Sequence, residues 1–300
     1  MPAVSVIIPA YNAATTIAEA LATVRGQTFT DTEIIIVDDA SEDDTVKVLE
    51  KSAADCRVIV HTQNQGPAGA RNTGIEASTG EWVAFLDGDD AWLPHRLDAQ
   101  LRLAARHPEV AVWCAGHVSF ADDDPDKAAA SNESFRLIPL EEFANHNPVA
   151  TSTVLARRAA LDAADGFDTS FRGPEDYDLW MRIAARHPIA CMAAPLARYR
   201  FMTGSLSMDD RRFLPEVLRV LEKAFDSGGA LEGHPELRRW AVANQYWNAS
   251  WMAFNRGARL KAVQLWALSL VKGLAAPHRR PRPWLRLLAR YLVGRRLRVS

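Results

Sequence analysis

The segment Asp87-Gly88-Asp89-Asp90 carries three carboxylates within four residues. Such oxygens suit a hard divalent cation, Mn2+ or Mg2+, which takes oxygen ligands and retains waters. A cation held by Asp87 and Asp89 would bridge diphosphate oxygens and stabilise the charge that builds on a departing group. Gly88 permits a tight turn and close ligand approach. Asp90 also suits the cap of a helix beginning after Pro94, because Asp serves turns and caps as well as metals.

A second acidic pair, Asp38-Asp39, can accept a hydrogen bond from a ring N–H of a nucleotide base such as uracil, or cap the helix that follows Ser41. Asn64 to Asn72 (NQGPAGARN) offers backbone N–H groups at a helix start and the Arg71 guanidinium. That set fits a diphosphate; the competing reading of Arg71 is a surface ion pair. Glu175-Asp176 places a carboxylate at a helix start, where one of the two can take a proton from a sugar hydroxyl. The helix dipole favours acids there for structural reasons too.

Positioning these groups falls to alternating strands and helices. Val4 to Pro9, Glu33 to Val37, Arg57 to His61 and Trp82 to Leu86 read as short strands rich in apolar residues. Helical spacing occupies Ala13 to Arg25, Thr45 to Lys51 and Pro67 to Ala77 between them. The order predicts an α/β fold, doubly wound on a mostly parallel, Rossmann-like sheet, with ligands at the carboxyl ends of the strands. Tyr11-Asn12, Asp38-Asp39 and the Asp87 turn each fall immediately after a predicted strand. Further along, Leu93 to Arg106 reads as helix, Val110 to Trp113 and Thr153 to Leu155 as strand, and Asp176 to Arg186 as helix. Asp122 to Asn132 reads as a polar surface excursion. Beyond Arg211 the pattern is helical as far as Pro277, with a turn at Asn255-Arg256-Gly257.

Hydrophobic residues make up 48% of the 300 and charged residues 24%, which excludes wholesale disorder. Cys56, Cys114 and Cys191 are widely spaced and read as buried free thiols. The amino-terminal residues lack a basic region followed by an apolar core, and no uncharged apolar run is long enough to span a bilayer, so a cytoplasmic location is expected. The net charge of −2 conceals an asymmetry: fourteen basic residues and no acid follow Glu236. From Trp284 onward, Leu287, Leu288, Tyr291 and Leu292 share a helical face beside Arg286 and Arg290. Such a tail can lie on an anionic membrane or pack on an acidic body, while no motif for nucleic acid accompanies it.

Six ordered segments resemble glycosyltransferase family 2, the group with the A-type glycosyltransferase fold. They are VSVIIPAYN, EIIIVDDASEDDT, GPAGARNTGI, FLDGDDAW, ADGFDTSFRGPEDYDLWMRIA and YRFMTGSLS, spread over roughly residues 1 to 210. The resemblance implies a glycosyltransferase domain over 1–225, divided into a nucleotide-sugar-binding half at 1–115 and an acceptor-binding half at 116–225. A basic helical C-terminal extension follows over 226–300. It also implies a base pocket of Pro9, Ala10 and Tyr11 with Asp39, Arg71 near the pyrophosphate, and Asp87 with Asp89 at ribose, phosphate and metal. Asp176 corresponds to the family's general base, Glu175 to a neighbour that orients the acceptor or tunes it, and Trp180 to an acceptor-side residue.

The expected reaction is inverting transfer from a nucleotide-diphosphate sugar, UDP-sugars favoured, to a saccharide or lipid-linked acceptor in cell-surface polysaccharide or glycoconjugate synthesis. Where many relatives carry His, two residues after Arg200, this chain has Met202, leaving Arg200, Ser205 or Ser207 to compensate. A nucleotidyltransferase and a non-catalytic nucleotide-binding scaffold are the alternatives. The region around Glu175-Asp176 and the lack of an early Lys-containing phosphate loop oppose the first, and Met202 is the main support for the second.

Overall fold

The computed structural model describes residues 1–120, 133–200 and 209–273. Met202, Ser205, Ser207, the excursion at 122–132 and the basic stretch from 274 onward lie outside them. The chain divides into two compact units, Met1–Phe143 with Asn147–Ser205, and Ala144–His146 with Leu206–Ser300.

The first unit is built on a nine-stranded sheet. Its opening elements are β1 (Val4–Ala10), α1 (Ile17–Arg25), β2 (Thr32–Asp38), α2 (Thr45–Ser52), β3 (Arg57–Val60), α3 (Gly66–Ala77) and β4 (Trp82–Phe85). β1 pairs in parallel with both β2 and β4, and β2 with β3. A strand with neighbours on both edges and helices on its faces is mostly apolar, and β1 is buried along almost all its length, its one hydroxyl, Ser5, donating to Glu33 at 2.6 Å. α1 presents Ile17, Ala20, Leu21 and Val24 to the core, the helical spacing visible in the sequence. Each large apolar side chain so buried contributes about 1.5–3 kcal/mol.

Beyond β4 the sheet changes character. β5 (Ala91–Trp92), α4 (Arg96–Arg106), β6 (Val112–Ser119), β7 (Phe135–Ile138), β8 (Leu155–Arg157), α5 (Arg158–Asp162), α6 (Glu175–Ala184) and β9 (Ile189–Tyr199) complete the unit. β8 runs antiparallel to both β4 and β6, β9 is parallel to β6, and β5 and β7 are antiparallel to β9. The parallel order predicted from the sequence therefore holds from β3 to β4, and the sheet as a whole is mixed. The strand expected over Thr153 to Leu155 begins only at Leu155, because Thr153 closes a turn of 3-10 helix, Thr151–Thr153.

The second unit is helical: α7 (Asp210–Phe225), α8 (Arg238–Asn255) and α9 (Arg259–Gly273). Gly257, at a φ of +86°, turns the chain between α8 and α9. α7 falls in this unit with α8 and α9, although the sequence boundary at 225 groups it with the preceding domain. Among the described residues no helix is long and apolar enough to cross a membrane.

Helix α3 lies close on the sheet because it is built of small residues. A Cβ at Gly74 would collide with the Ile7 side chain of β1. Gly74→Ala is expected to lower stability by about 1–3 kcal/mol through overpacking. In an Ile7→Ala background, which removes both Cγ atoms that the new Cβ meets, the same change should cost less, a coupling measured by urea unfolding of the four variants.

Candidate active site

The turn after β4 is the acidic centre. Leu86 N–H still donates to the Ile7 carbonyl, and Asp90 N–H then closes on the Asp87 carbonyl at 3.0 Å. Gly88 is needed there: a Cβ would stand 3.1 Å from the Pro9 carbonyl oxygen. The structure corrects the reading of Asp90 as a helix cap. The cap position of α4 is His95, whose side chain makes no capping bond. Asp90 is instead buried, accepting from the Ser152 hydroxyl at 2.6 Å and from the Arg200 N–H at 2.9 Å. Burial and the charge of Asp87 push its carboxyl up to about 7.

Asp89 is shifted upward too, by burial and then by Asp87. Its carboxylate accepts no hydrogen bond from another described residue, and among those residues the Asp87 carboxylate is met only at Oδ1, by Arg71. These open oxygens fit a hard cation that completes its shell with water and phosphate. Among the described residues no group of three or more such side chains converges on one cation position, so a cation here depends on donor oxygens as well. Arg200 braces the turn: its Nε donates to the Asp89 carbonyl at 2.8 Å, and a second nitrogen pairs with Glu19 at 2.5 Å.

Arg71 comes from α3 and is buried. One end of its guanidinium meets Asp87 Oδ1 at 2.7 Å and the other meets Glu175 Oε1 at 2.8 Å. Burial by itself would lower its pKa, but the charges of Asp87 and Glu175 outweigh that and hold it above the ordinary arginine value. In place of the surface ion pair that the sequence offered, Arg71 forms a buried bridge between two acidic segments. Its Nε is buried with no hydrogen-bond partner among the described residues.

Helix α6 begins at Glu175, whose other oxygen accepts from Gly173 N–H at 2.9 Å. Asp176, next along, is half-buried. Its Oδ2 accepts from Thr151 at 2.9 Å and Asn147 at 3.1 Å, and Oδ1 from the Tyr177 N–H at 2.7 Å. Burial first, and Glu175 second, raise Asp176 to about 7, so it can be ionised near neutrality and still hold a proton well. Trp180 is placed differently from the sequence expectation. It is fully buried against Phe85 and Phe167, and so presents no face to an acceptor; its indole N–H reaches the Thr151 hydroxyl at 3.3 Å.

At the ends of β1 and β2 the loops are tied by side chains. Ser41 Oγ, Thr45 Oγ1 and Asp43 Oδ2 accept from the N–H groups of Asn12, Ala13 and Ala14. Pro9 and Ala10 line the end of β1, and Tyr11 beyond them is 49% exposed, a ring free to stack. Asp39 is buried and already accepts from Gln65 N–H at 2.8 Å and Gly66 N–H at 2.7 Å, with His61 Nδ1 at 2.8 Å. A base reaching Asp39 would share oxygens that fix the start of α3. Asp38 is buried as well, with one carboxylate oxygen unpartnered.

The residues the sequence reading missed are Asn147, Thr151 and Ser152. They sit in NPVATST, a polar interruption between apolar runs, and that interruption was the available signal.

Comparison with solved structures defines the fold as that of A-type glycosyltransferases. Staphylococcus aureus TarS 1-349 with UDP-GlcNAc matches at a TM-score of 0.65 and 21% identity, over 91% of this chain and 81% of that one. The mannosyltransferase PcManGT of Pyrobaculum calidifontis, solved with GDP-Man and Mn2+, matches at 0.57 and 21% identity, over 98% of this chain and 88% of that one. Residues 5–164 match the model for glycosyl transferase family 2, and the chain belongs to that family. Among its relatives is WfgD of Escherichia coli, a UDP-Glc:alpha-D-GlcNAc-diphosphoundecaprenol beta-1,3-glucosyltransferase. It is 26% identical over 80% of this chain and 91% of its own length. An uncharacterised glycosyltransferase of Rickettsia bellii is 30% identical over 66% of this chain, which spans only 28% of that protein.

Removing Arg71 leaves Glu175 and Asp87 without their cation. Arg71→Met is expected to cost about 3–5 kcal/mol by urea unfolding, the usual penalty for breaking a buried pair. Adding Glu175→Gln to that variant should recover part of the loss.

Proposed function

We propose that the chain is a metal-dependent, inverting glycosyltransferase that moves a sugar from a nucleotide-diphosphate sugar to an acceptor hydroxyl. The observation that carries this reading is the Arg71 bridge, which brings the acidic turn and the helix bearing Asp176 into one site. UDP-sugars are the favoured donors, in line with the UDP-GlcNAc bound to TarS and the UDP-Glc donor of WfgD. A saccharide or lipid-linked acceptor in polysaccharide or glycoconjugate synthesis fits the same relatives.

In this reading Pro9, Ala10 and Tyr11 receive the base with Asp39 behind them. Asp89 and Asp87 would hold a divalent cation, Mn2+ or Mg2+, and PcManGT with Mn2+ supports that assignment. When bound, such a cation neutralises charge building on the diphosphate. Arg71 and Arg200 offset the negative charge of the acidic turn and keep it in place. Asp176 takes the proton of the acceptor hydroxyl, whose oxygen bonds to the anomeric carbon as the bond to diphosphate breaks. Attack from the face opposite the leaving group inverts the configuration. Thr151 and Asn147 fix the carboxylate that receives the proton, and Glu175 holds Arg71 beside it.

Two readouts test the base. Asp176→Asn should reduce transfer by about 10²–10⁴-fold, the usual contribution of a positioned base, while donor binding persists. Because the carboxyl is raised to about 7, kcat/KM of the parent should fall tenfold per unit as pH drops below that value. Unchanged turnover in the variant, or an acid limb near pH 4, would remove Asp176 from the role.

A further inference from the structure

Helix α9 is apolar on two opposite faces. Ala262 and Leu265 are buried with Ala249 and Ala253 of α8, and Ser269 beside them donates to the Ala243 carbonyl at 2.6 Å. The other face carries Leu260, Val263, Leu268 and Val271 at 77%, 49%, 44% and 65% exposure. These are four of the nine large hydrophobic side chains exposed among the described residues, gathered on one helix of fifteen. A lone exposed leucine needs no explanation, but a row at helical spacing does. With Gln264 and Ala267, the row covers an arc of about 140° directly opposite the buried side, at 100° per residue.

Basic residues border that arc. Arg259 lies along one margin and Lys261 and Lys272 along the other, all three exposed. Lys272 also lies over the Tyr246 ring at 5.4 Å. Arg259 and Lys261 have no acidic partner among the described residues, and no acid follows Glu236 in the sequence.

We propose that the outer face of α9 is a docking surface for an anionic phospholipid bilayer. Leu260, Val263, Leu268 and Val271 enter the boundary between headgroups and acyl chains, while Arg259, Lys261 and Lys272 reach lipid phosphates from the margins. Charge complementarity selects this occupant. A second copy meeting the same face would set basic margins against basic margins with no acid to relieve them. Residues 274–300 would do the same, since they hold eight more basic residues and no acid. The inference deepens the reading of a lipid-linked acceptor, on which it rests for its purpose, but the surface needs none of the transfer chemistry.

Flotation of the full chain with vesicles tests it, using phosphatidylglycerol mixed with phosphatidylcholine against phosphatidylcholine alone. The chain should float with the anionic vesicles, weaken as salt rises, and scarcely bind the neutral ones. A variant with Leu260, Val263, Leu268 and Val271 all changed to Gln keeps every basic residue and should bind at least tenfold more weakly. If that variant does not fold by circular dichroism, Arg259→Glu with Lys261→Glu carries the test, with the same expected loss. Equal flotation of parent and variant overturns the proposal. So does failure of the parent to bind anionic vesicles, or a parent dimer that the variant dissociates without change in vesicle binding. Thermal stabilisation by nucleotide sugar, read on the same samples, reports the transferase site separately, so the two readings fail independently.

Discussion

A guanidinium withdrawn from water costs several kcal/mol unless anions meet it, and Arg71 is only 6% exposed. Its two anions arrive from distant parts of the chain, Asp87 from the turn after β4 and Glu175 from the start of α6. Neither segment can relax without leaving charge buried and unpaired. The acidic turn and α6 are therefore held together by electrostatics as much as by packing. The small residues of α3 matter for the same reason. They let the helix sit close on β1, and that places the Arg71 side chain where both carboxylates reach it.

Around this bridge, short polar side chains set the finer geometry. Ser152 touches both ends of the acidic turn, donating to Asp90 and accepting from the Asp87 N–H at 3.2 Å. Thr151, one residue earlier, holds Asp176. A two-residue segment thus links the proposed metal-binding carboxylates to the proposed base. The segment is itself pinned from below: Trp92 donates to the Ser152 carbonyl at 2.8 Å and buried Arg96 to the Val154 carbonyl at 2.7 Å. Asp87, Asp89, Asp90, Glu175 and Asp176 gather around Arg71 and Arg200, and burial first, with neighbouring carboxylates second, raises Asp89, Asp90 and Asp176. A site so charged is suited to binding a cation.

What the sequence makes legible follows from periodicity. β1, β2 and β4 are dominated by apolar residues because both faces are covered, and their ends mark the edge where Asp39 and Asp87 lie. The turn between α8 and α9 was readable from Asn255-Arg256-Gly257. β9 was not: IACMAAPLARY is rich in Ala with a Pro, and its strand state is imposed by pairing with β6, β5 and β7. Long-range partners were equally hidden. Asp90 resembles a cap in sequence, and only the fold brings Ser152 and Arg200 to it. Trp180 resembles a binding aromatic, yet packing against Phe85 and Phe167 encloses it. Arg71 was singled out for a diphosphate, and the sequence held no sign that Glu175, 104 residues away, would claim one end of it.

The central claim is that Asp87 and Asp89, held by Arg71 and Arg200, form a site where cation and diphosphate bind together. Calorimetric titration of the full chain with a UDP-sugar, in Mn2+ and then in chelator, tests it most directly. The account predicts binding at least tenfold tighter with Mn2+, and loss of that difference in Asp89→Asn. Equal affinity with and without the metal in the parent chain would contradict it.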